Sequence, residues 1–499
     1  MWSRRRTRVC GVRSRWGEIA ESGTWDSGVH YSVRVSDSAL RDPTKSTSAA
    51  PNIPYWVVWA IPIAIFLGTF GMFAGTAERH GVDVDAYAAS AEAWRLATSG
   101  TPWLDGLDVK SLHGVHAPIE LGRWLEPSPN GHVVAHRMAG PVLAALPFYA
   151  LLGSGPSTDL FSLGPGALAA AFWSALGTLF IYLALRRHAS LGLAAAGALT
   201  YAFATPTWAV SANGVWTHTV TQPALAAVAW ALSRDRWGLA GVACAVGMLG
   251  RPHVALIAAV VGVGISLHRR SAGPAVRIAI PTLGALLVLL MWNHWMFGVW
   301  SIAGSYENAA DAATSSFSQG RWLSQLTNVA GFFVSPGRGL LVWTPALMLF
   351  LPALVRSWKS LPDWSRYLVV GGLLYSFFQM RLNGFSGGIG FYGYRHPLEL
   401  VTCLVPALVF AAPQLGRWAR LLMPVALSAQ VAAVTIGAIN EAYFIYLGHM
   451  WDDNGFWVAL RYQPGVVGVW LALCLVVGVL VSVMIDRRRA RPDDYAEPA

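Results

Sequence analysis

Charge is scarce in this sequence. Asp, Glu, Lys and Arg make up only 12% of its 499 residues, about half the share carried by an average soluble domain, which excludes an ordinary globular enzyme. Cysteine is scarcer still: Cys10, Cys244, Cys403 and Cys474 offer neither a disulfide framework nor a CxxC metal site. An apolar h-region is missing after Arg4, Arg5, Arg6 and Arg8. The first 54 residues are therefore neither a cleaved signal peptide nor a complete twin-arginine signal, and they read as a disordered basic cytoplasmic tail or as an over-long gene start. No internal repeat is found, a feature that secondary transporters often have.

What the sequence has instead is apolar runs of near-bilayer length, recurring from Tyr55 to Met484. They predict an all-α polytopic membrane protein. About twelve spans are expected, at 55–76, 163–185, 190–210, 217–232, 237–249, 252–267, 275–297, 339–355, 365–381, 397–415, 419–439 and 465–485. The organisation read from them is a tail over 1–54, a transmembrane domain over 55–485 and a second cytoplasmic tail over 486–499.

The net charge of +10 acquires a meaning once it is located. With both termini cytoplasmic, 25 of the 36 Lys and Arg fall in the tails and in alternate short connections, as the positive-inside rule requires. The inner side then carries +14 and the outer side −4, so the surplus records orientation in a cell membrane and points to no nucleic-acid partner. Polar complexity is lopsided as well. Residues 77–162 form a long outer loop, and ten of the 13 histidines lie outside, which places the expected chemistry on the extracytoplasmic face. Within that loop Asp85–Ser99 predicts a helix with Tyr87, Ala91, Trp94 and Ala97 on one stripe and Glu92 and Arg95 away from it. The apolar stretch Gly140–Gly153 is too short to span, so both segments are expected to be interfacial helices.

The candidate chemistry begins at Gly81-Val-Asp83-Val-Asp85-Ala-Tyr87. One division of the two carboxylates assigns Asp83 to a cleft and Asp85 to capping the following helix; composition alone favours reading both as solvated loop acids. Arg251, in Gly250-Arg-Pro-His253, breaks two short apolar runs. A charged side chain at the bilayer centre costs about 2.5–3.5 kcal/mol, which puts the break at the outer end of both helices, where the guanidinium can meet a phosphate or pair with loop carbonyls. His136 and Arg137 precede the second interfacial helix, Tyr394, Arg395 and His396 precede the tenth span, and His218 sits at an outer helix end. All six can reach a lipid phosphate or a sugar from the membrane plane. The alternative for Arg395 is a helical pair with Glu399, and for Arg338 in Gly-Arg-Gly it is turn stabilisation. His113, His116 and Glu120 have a metal-like spacing, but Gly114 and Pro118 argue against the helix it needs. Asp452 and Asp453 with Glu441 and His449 are a weaker metal or acceptor candidate, and Trp94, Trp103, Trp124 and Trp322 are candidates for stacking on a sugar.

Asp83-Val-Asp85-Ala-Tyr87 followed by Ala91, Leu96 and Gly100-Thr-Pro102 resembles the Asp-x-x-x-Tyr…Ala…Leu…Gly-x-Pro stretch of the integral-membrane GT-C glycosyltransferases. Gly131-His132 to His136-Arg137, with Gly140 and Pro147, resembles the next stretch of that group. Ser335-Pro-Gly-Arg338-Gly-Leu and Gly388-Ile-Gly-Phe-Tyr-Gly-Tyr-Arg395 look like segments of its actinobacterial members. The resemblance implies inverting transfer of one sugar, mannose or arabinofuranose, from a polyprenyl-phosphate donor to a glycan or glycolipid acceptor of the cell envelope. On that reading Asp83 is the general base, with Asp85 the competing carboxylate. Arg251, His136, Arg137 and Arg395 hold the donor phosphate, and Tyr87, His218, Tyr394 and His396 contact substrate. No cofactor is expected, and a divalent metal stays open. A secondary transporter or lipid-carrier flippase, and an envelope glycan polymerase or ligase acting on lipid-linked oligosaccharide, are the competing classes.

Overall fold

The computed structural model describes residues 55–77, 84–107, 125–153, 155–157, 160–302, 304, 322–388, 390–439 and 449–490. Asp83, His113, His116, Glu120, Trp124 and Glu441 lie outside these residues, as do 1–54. The described chain is mostly helical, with one two-stranded ribbon.

Helices occupy all the apolar runs. The first part of the bundle comprises α1 (Tyr55–Thr76), α2 (Val84–Ser99), α3 (Ala139–Leu152), α4 (Gly164–Leu185), α5 (Leu191–Phe203), α6 (Thr217–Leu232), α7 (Trp237–Gly250), α8 (Val254–Arg269) and α9 (Gly273–Phe297). The second part comprises α10 (Trp322–Val334), α11 (Leu340–Trp343), α12 (Ala346–Ser357), α13 (Asp363–Asn383), α14 (Leu398–Ala411), α15 (Arg417–Ile439), α16 (Gly455–Tyr462) and α17 (Pro464–Ala490). Five of the described helices, α1, α4, α9, α15 and α17, are long and apolar enough to cross a membrane, and several shorter apolar helices accompany them. The chain is a multi-pass membrane protein. On α9 and α17 Leu283, Leu287, Met291, Val469 and Val476 are exposed, as helix faces turned to lipid are.

Start and stop signals are local. Ser190 caps α5 by accepting from the Leu193 amide. Pro165 and Pro274 stand in the first turns of α4 and α9, where the missing N–H has no intrahelical partner to lose. Small residues let the helices approach, as in α4, where Ala169, Ala170, Ala171, Ala175 and Gly177 are all buried. Helix α7 packs on α6 and α9, α4 on α1 and α6, α8 on α13, and α15 on α17.

The segment between α2 and α3 is built differently. The ribbon pairs β1 (Leu125–Pro127) with β2 (Val133–Ala135), antiparallel, with Leu125 opposite Ala135. Both helices expected in this region form, but Glu92 is fully buried in α2 instead of facing away from the packed stripe. The reason is a backbone requirement: its Oε1 accepts from the Ala135 amide at the end of β2, 3.2 Å away, and a buried amide must be satisfied. Burial pushes the Glu92 carboxyl well above its ordinary range, against the opposing pull of Arg137 and of that amide. A raised carboxyl pKa gives stability that is complete below about pH 4.5 and is lost as pH rises toward the folded value. Glu92→Gln keeps the acceptor without the charge, so it is expected to raise the melting temperature at pH 8 and to leave it unchanged at pH 4. Thermal unfolding of the purified protein at the two pH values checks this; a lower melting temperature at pH 8 would mean that Glu92 is held ionised.

Helix α3 meets the end of α7 backbone to backbone. A Cβ added at Gly140 would lie 2.6 Å from the Gly250 nitrogen and 2.8 Å from its Cα. Neither backbone can yield, so Gly140→Ala is expected to cost about 1–3 kcal/mol by overpacking and to move the Arg251 break beside it. A variant with unchanged thermal stability would show that this contact is slack.

Candidate active site

The α7–α8 break places Arg251 in extended backbone, φ −150° and ψ 110°, immediately after Gly250. The guanidinium is gripped at all three nitrogens. Nε donates to Thr217 Oγ1 at 3.0 Å, Nη1 to Gln379 Oε1 at 2.6 Å, and Nη2 approaches His218 Nε2 at 3.0 Å. Arg251 lies on the wall of a cavity of about 630 Å³ that also receives Asp85, Arg395, His396 and Gln379. Leu256, Phe378, Leu382 and Ile302 make much of the remaining lining apolar. One compartment thus combines two arginines with an apolar lining. Its lining comes from connections expected outside and from the span ends that adjoin them, and none of the short arginine-rich connections contributes.

Asp85, expected to cap α2, stands inside its first turn, because the helix begins at Val84. Its carboxylate bridges two arginines: Oδ1 lies 2.8 Å from Arg137 Nη2, and Oδ2 accepts from Arg395 Nη1 at 2.8 Å. Burial alone would raise this carboxyl, but the charges of Arg137 and Arg395 outweigh it and hold the group at about 2. Arg395 is further braced over the rings of Trp216, 4.9 Å from its centroid, and Phe391, at 5.2 Å. The glycine-rich run before it shapes the rim: Gly387 and Gly388 line the cavity with φ of +73° and +93°, conformations that favour glycine.

Of the residues singled out in the sequence, Asp85, Arg251, Arg395 and His396 meet at this cavity. His396 accepts from Gln379 at Nε2, 3.3 Å away, while Nδ1 faces the Gly384 carbonyl oxygen at 3.2 Å. Arg137 and His218 stand behind the lining, each bonded to a residue that is part of it. His136 stacks on Phe297 with ring centroids 5.5 Å apart, and Tyr87 is buried against Phe161. Tyr394 is also fully buried in the core, and neither tyrosine lines the cavity. Arg395 pairs with Asp85 and not with Glu399, whose Oε1 instead accepts from His218 Nδ1 at 2.7 Å. Arg338 donates to the carbonyls of Phe391 and Gly393 at 3.0 and 2.6 Å, so it holds the loop that carries Arg395. Asp453 pairs with Arg461 at 3.4 Å. Trp94 donates to the Gly155 carbonyl, and Trp103 stacks on His132. Among the described residues no three His, Cys, Asp or Glu side chains converge as a metal cluster.

Thr217, Gln379 and Glu399 were not assigned to the site from sequence. A signal existed for two of them, because Gln379 and Glu399 are polar side chains inside runs otherwise fit for lipid, where such groups are costly and need partners.

No protein-family model and no curated protein matches the chain. Among solved structures it is similar to the Archaeoglobus fulgidus oligosaccharyltransferase tethered with an acceptor peptide containing the NVT sequon, at 13% identity and a TM-score of 0.43, over 86% of this chain and 55% of that one. It is also similar to the apo form of that protein, at 12% identity and a TM-score of 0.43, over 83% of this chain and 58% of the other. The chain spans little more than half the length of those structures, and at this similarity they assign it no family.

Proposed function

We propose that the chain is a GT-C type membrane glycosyltransferase that moves one sugar from a polyprenyl-phosphate donor to a glycan or glycolipid of the cell envelope, on the extracytoplasmic face. The observation that carries this reading is the union in one cavity of Arg251 and Arg395 with apolar lining residues, chemistry suited to a phosphate on an isoprenoid tail. The sequence resemblance supports the same class.

In the inverting reaction the acceptor oxygen bonds to the sugar's anomeric carbon, and the bond from that carbon to the phosphate oxygen breaks. The acceptor proton goes to a carboxylate, and the bonding electrons leave with the phosphate. Arg251 and Arg395 stabilise the charge that develops there. Asp85 is a weak proton acceptor because two arginines hold it ionised, and each unit of lowered pKa removes about 1.4 kcal/mol of proton affinity. Its proposed role is to hold Arg137 and Arg395, and the base is assigned to Asp83, as the sequence resemblance implies. His396 and Gln379 then face the sugar, and mannose and arabinofuranose are the two donors to try.

The test is conversion of radiolabelled polyprenyl-phosphate mannose or arabinofuranose by the full chain in lipid nanodiscs with envelope glycolipid acceptors. Donor-dependent labelling of the acceptor is expected. Absence of donor binding and consumption, together with movement of a lipid or solute across proteoliposomes, would overturn the reading in favour of transport.

A further inference from the structure

Glu399 does not line the cavity. It sits fully buried in the first turn of α14, where a helix N-terminus favours negative charge. Its Oε1 accepts from His218 Nδ1 at 2.7 Å and from the Thr221 hydroxyl. On the far side of the ring, His218 Nε2 lies 3.0 Å from Arg251 Nη2. These two contacts determine each other. A carboxylate only accepts, so it keeps the proton on Nδ1, and Nε2 is then a lone pair that can accept from a guanidinium that only donates. With the proton on Nε2 instead, two N–H groups would face each other across 3.0 Å.

We propose that Glu399 and His218 are positioning residues for Arg251: through the imidazole, the carboxylate sets the direction of the guanidinium on the cavity wall, and so the phosphate affinity of the site. This rests on the phosphate-binding role given to Arg251 above. Three otherwise separate elements take part, since His218 opens α6, Arg251 breaks α7 from α8, and Glu399 opens α14. Thr217 and Gln379 complete the grip from α6 and α13. Glu399→Gln removes the charge that favours the Nδ1 proton, and His218→Phe removes the relay while keeping an aromatic ring.

The experiment compares equilibrium binding of a long-chain prenyl phosphate and of the corresponding uncharged prenol to the full chain in nanodiscs. Wild type is expected to prefer the phosphate. Glu399→Gln and His218→Phe are each expected to weaken phosphate binding about tenfold or more with prenol binding unchanged, and His218→Phe is expected to add little on an Arg251→Gln background. Parallel loss of phosphate and prenol would mark the pair as merely structural and overturn the proposal. Wild-type phosphate affinity in both variants, with Arg251→Gln impaired, would also overturn it while leaving the functional reading standing. A wild-type protein that shows no preference for phosphate over prenol would overturn that reading, and the relay with it.

Discussion

Replacing Asp83 by asparagine is expected to lower turnover about 10²–10⁴-fold, the usual contribution of a positioned base, without changing affinity for the donor phosphate. Asparagine keeps the size of the side chain and removes only its capacity to take the acceptor proton. Asp85→Asn has a different expected signature. Asp85 now serves as the internal counterion of Arg137 and Arg395, and a donor phosphate competes with it for Arg395. Removing that charge should tighten binding of a prenyl phosphate and slow turnover, because the leaving phosphate is held too well and Arg395 has lost its anchor. Steady-state kinetics and equilibrium binding on the two variants separate the roles. Near-normal turnover in Asp83→Asn with an inactive Asp85→Asn would transfer the base to Asp85.

The pH dependence follows with its sign. Asp85 is held at about 2, below its ordinary value, so its ion pairs stabilise the fold fully above about pH 4 and are lost as pH falls toward 2. A limb of the pH–rate profile near neutrality therefore belongs to another group, and it should survive in Asp85→Asn.

Arg395→Gln is expected to weaken donor binding by about 1.5–3 kcal/mol, the worth of a hydrogen bond to a charged group, which is about 10- to 160-fold. Arg395→Lys should recover little of this. The guanidinium carbon lies over Trp216 and Phe391 while Nη1 meets Asp85, and a compact ammonium does not reproduce both contacts. Binding of the prenyl phosphate at low and high salt measures the loss, and the variant should also show a shallower salt dependence. Unchanged affinity would remove Arg395 from the phosphate site. Arg251 is a poorer probe of the same charge, because Glu399 lies 3.9 Å from its Nε with no exposure. Taking the cation away leaves a buried carboxylate, a change that typically costs about 3–5 kcal/mol in stability.

Much of the fold was legible because its signals are local. Apolar runs of the right length mark the helices, and a Gly-Arg-Pro sequence inside them marks a break that lipid would not tolerate at its centre. Asp85–Ser99 and Gly140–Gly153 both form the helices that their patterns predict. The burial of Glu92 was not legible, because a helical pattern cannot show that a strand amide from Ala135 will need its carboxylate.

The site was legible only in part. Asp85, Arg251, Arg395 and His396 were each visible as costly or outward-facing polar groups, and each reaches the cavity. Who pairs with whom was not. Spacing made Arg395 and Glu399 a helical pair, but Arg395 bonds Asp85, 310 residues away in the chain, and Glu399 bonds His218, 181 residues away. By itself the sequence determined a helical membrane bundle, the expected side of its chemistry and the few polar groups worth following, since hydropathy and charge placement act over one helix at a time. Only the tertiary structure decided which of those groups neutralise one another and which line the cavity. A buried charge must find its counterion wherever the packed helices bring one within about 4 Å, and no local pattern records that distance.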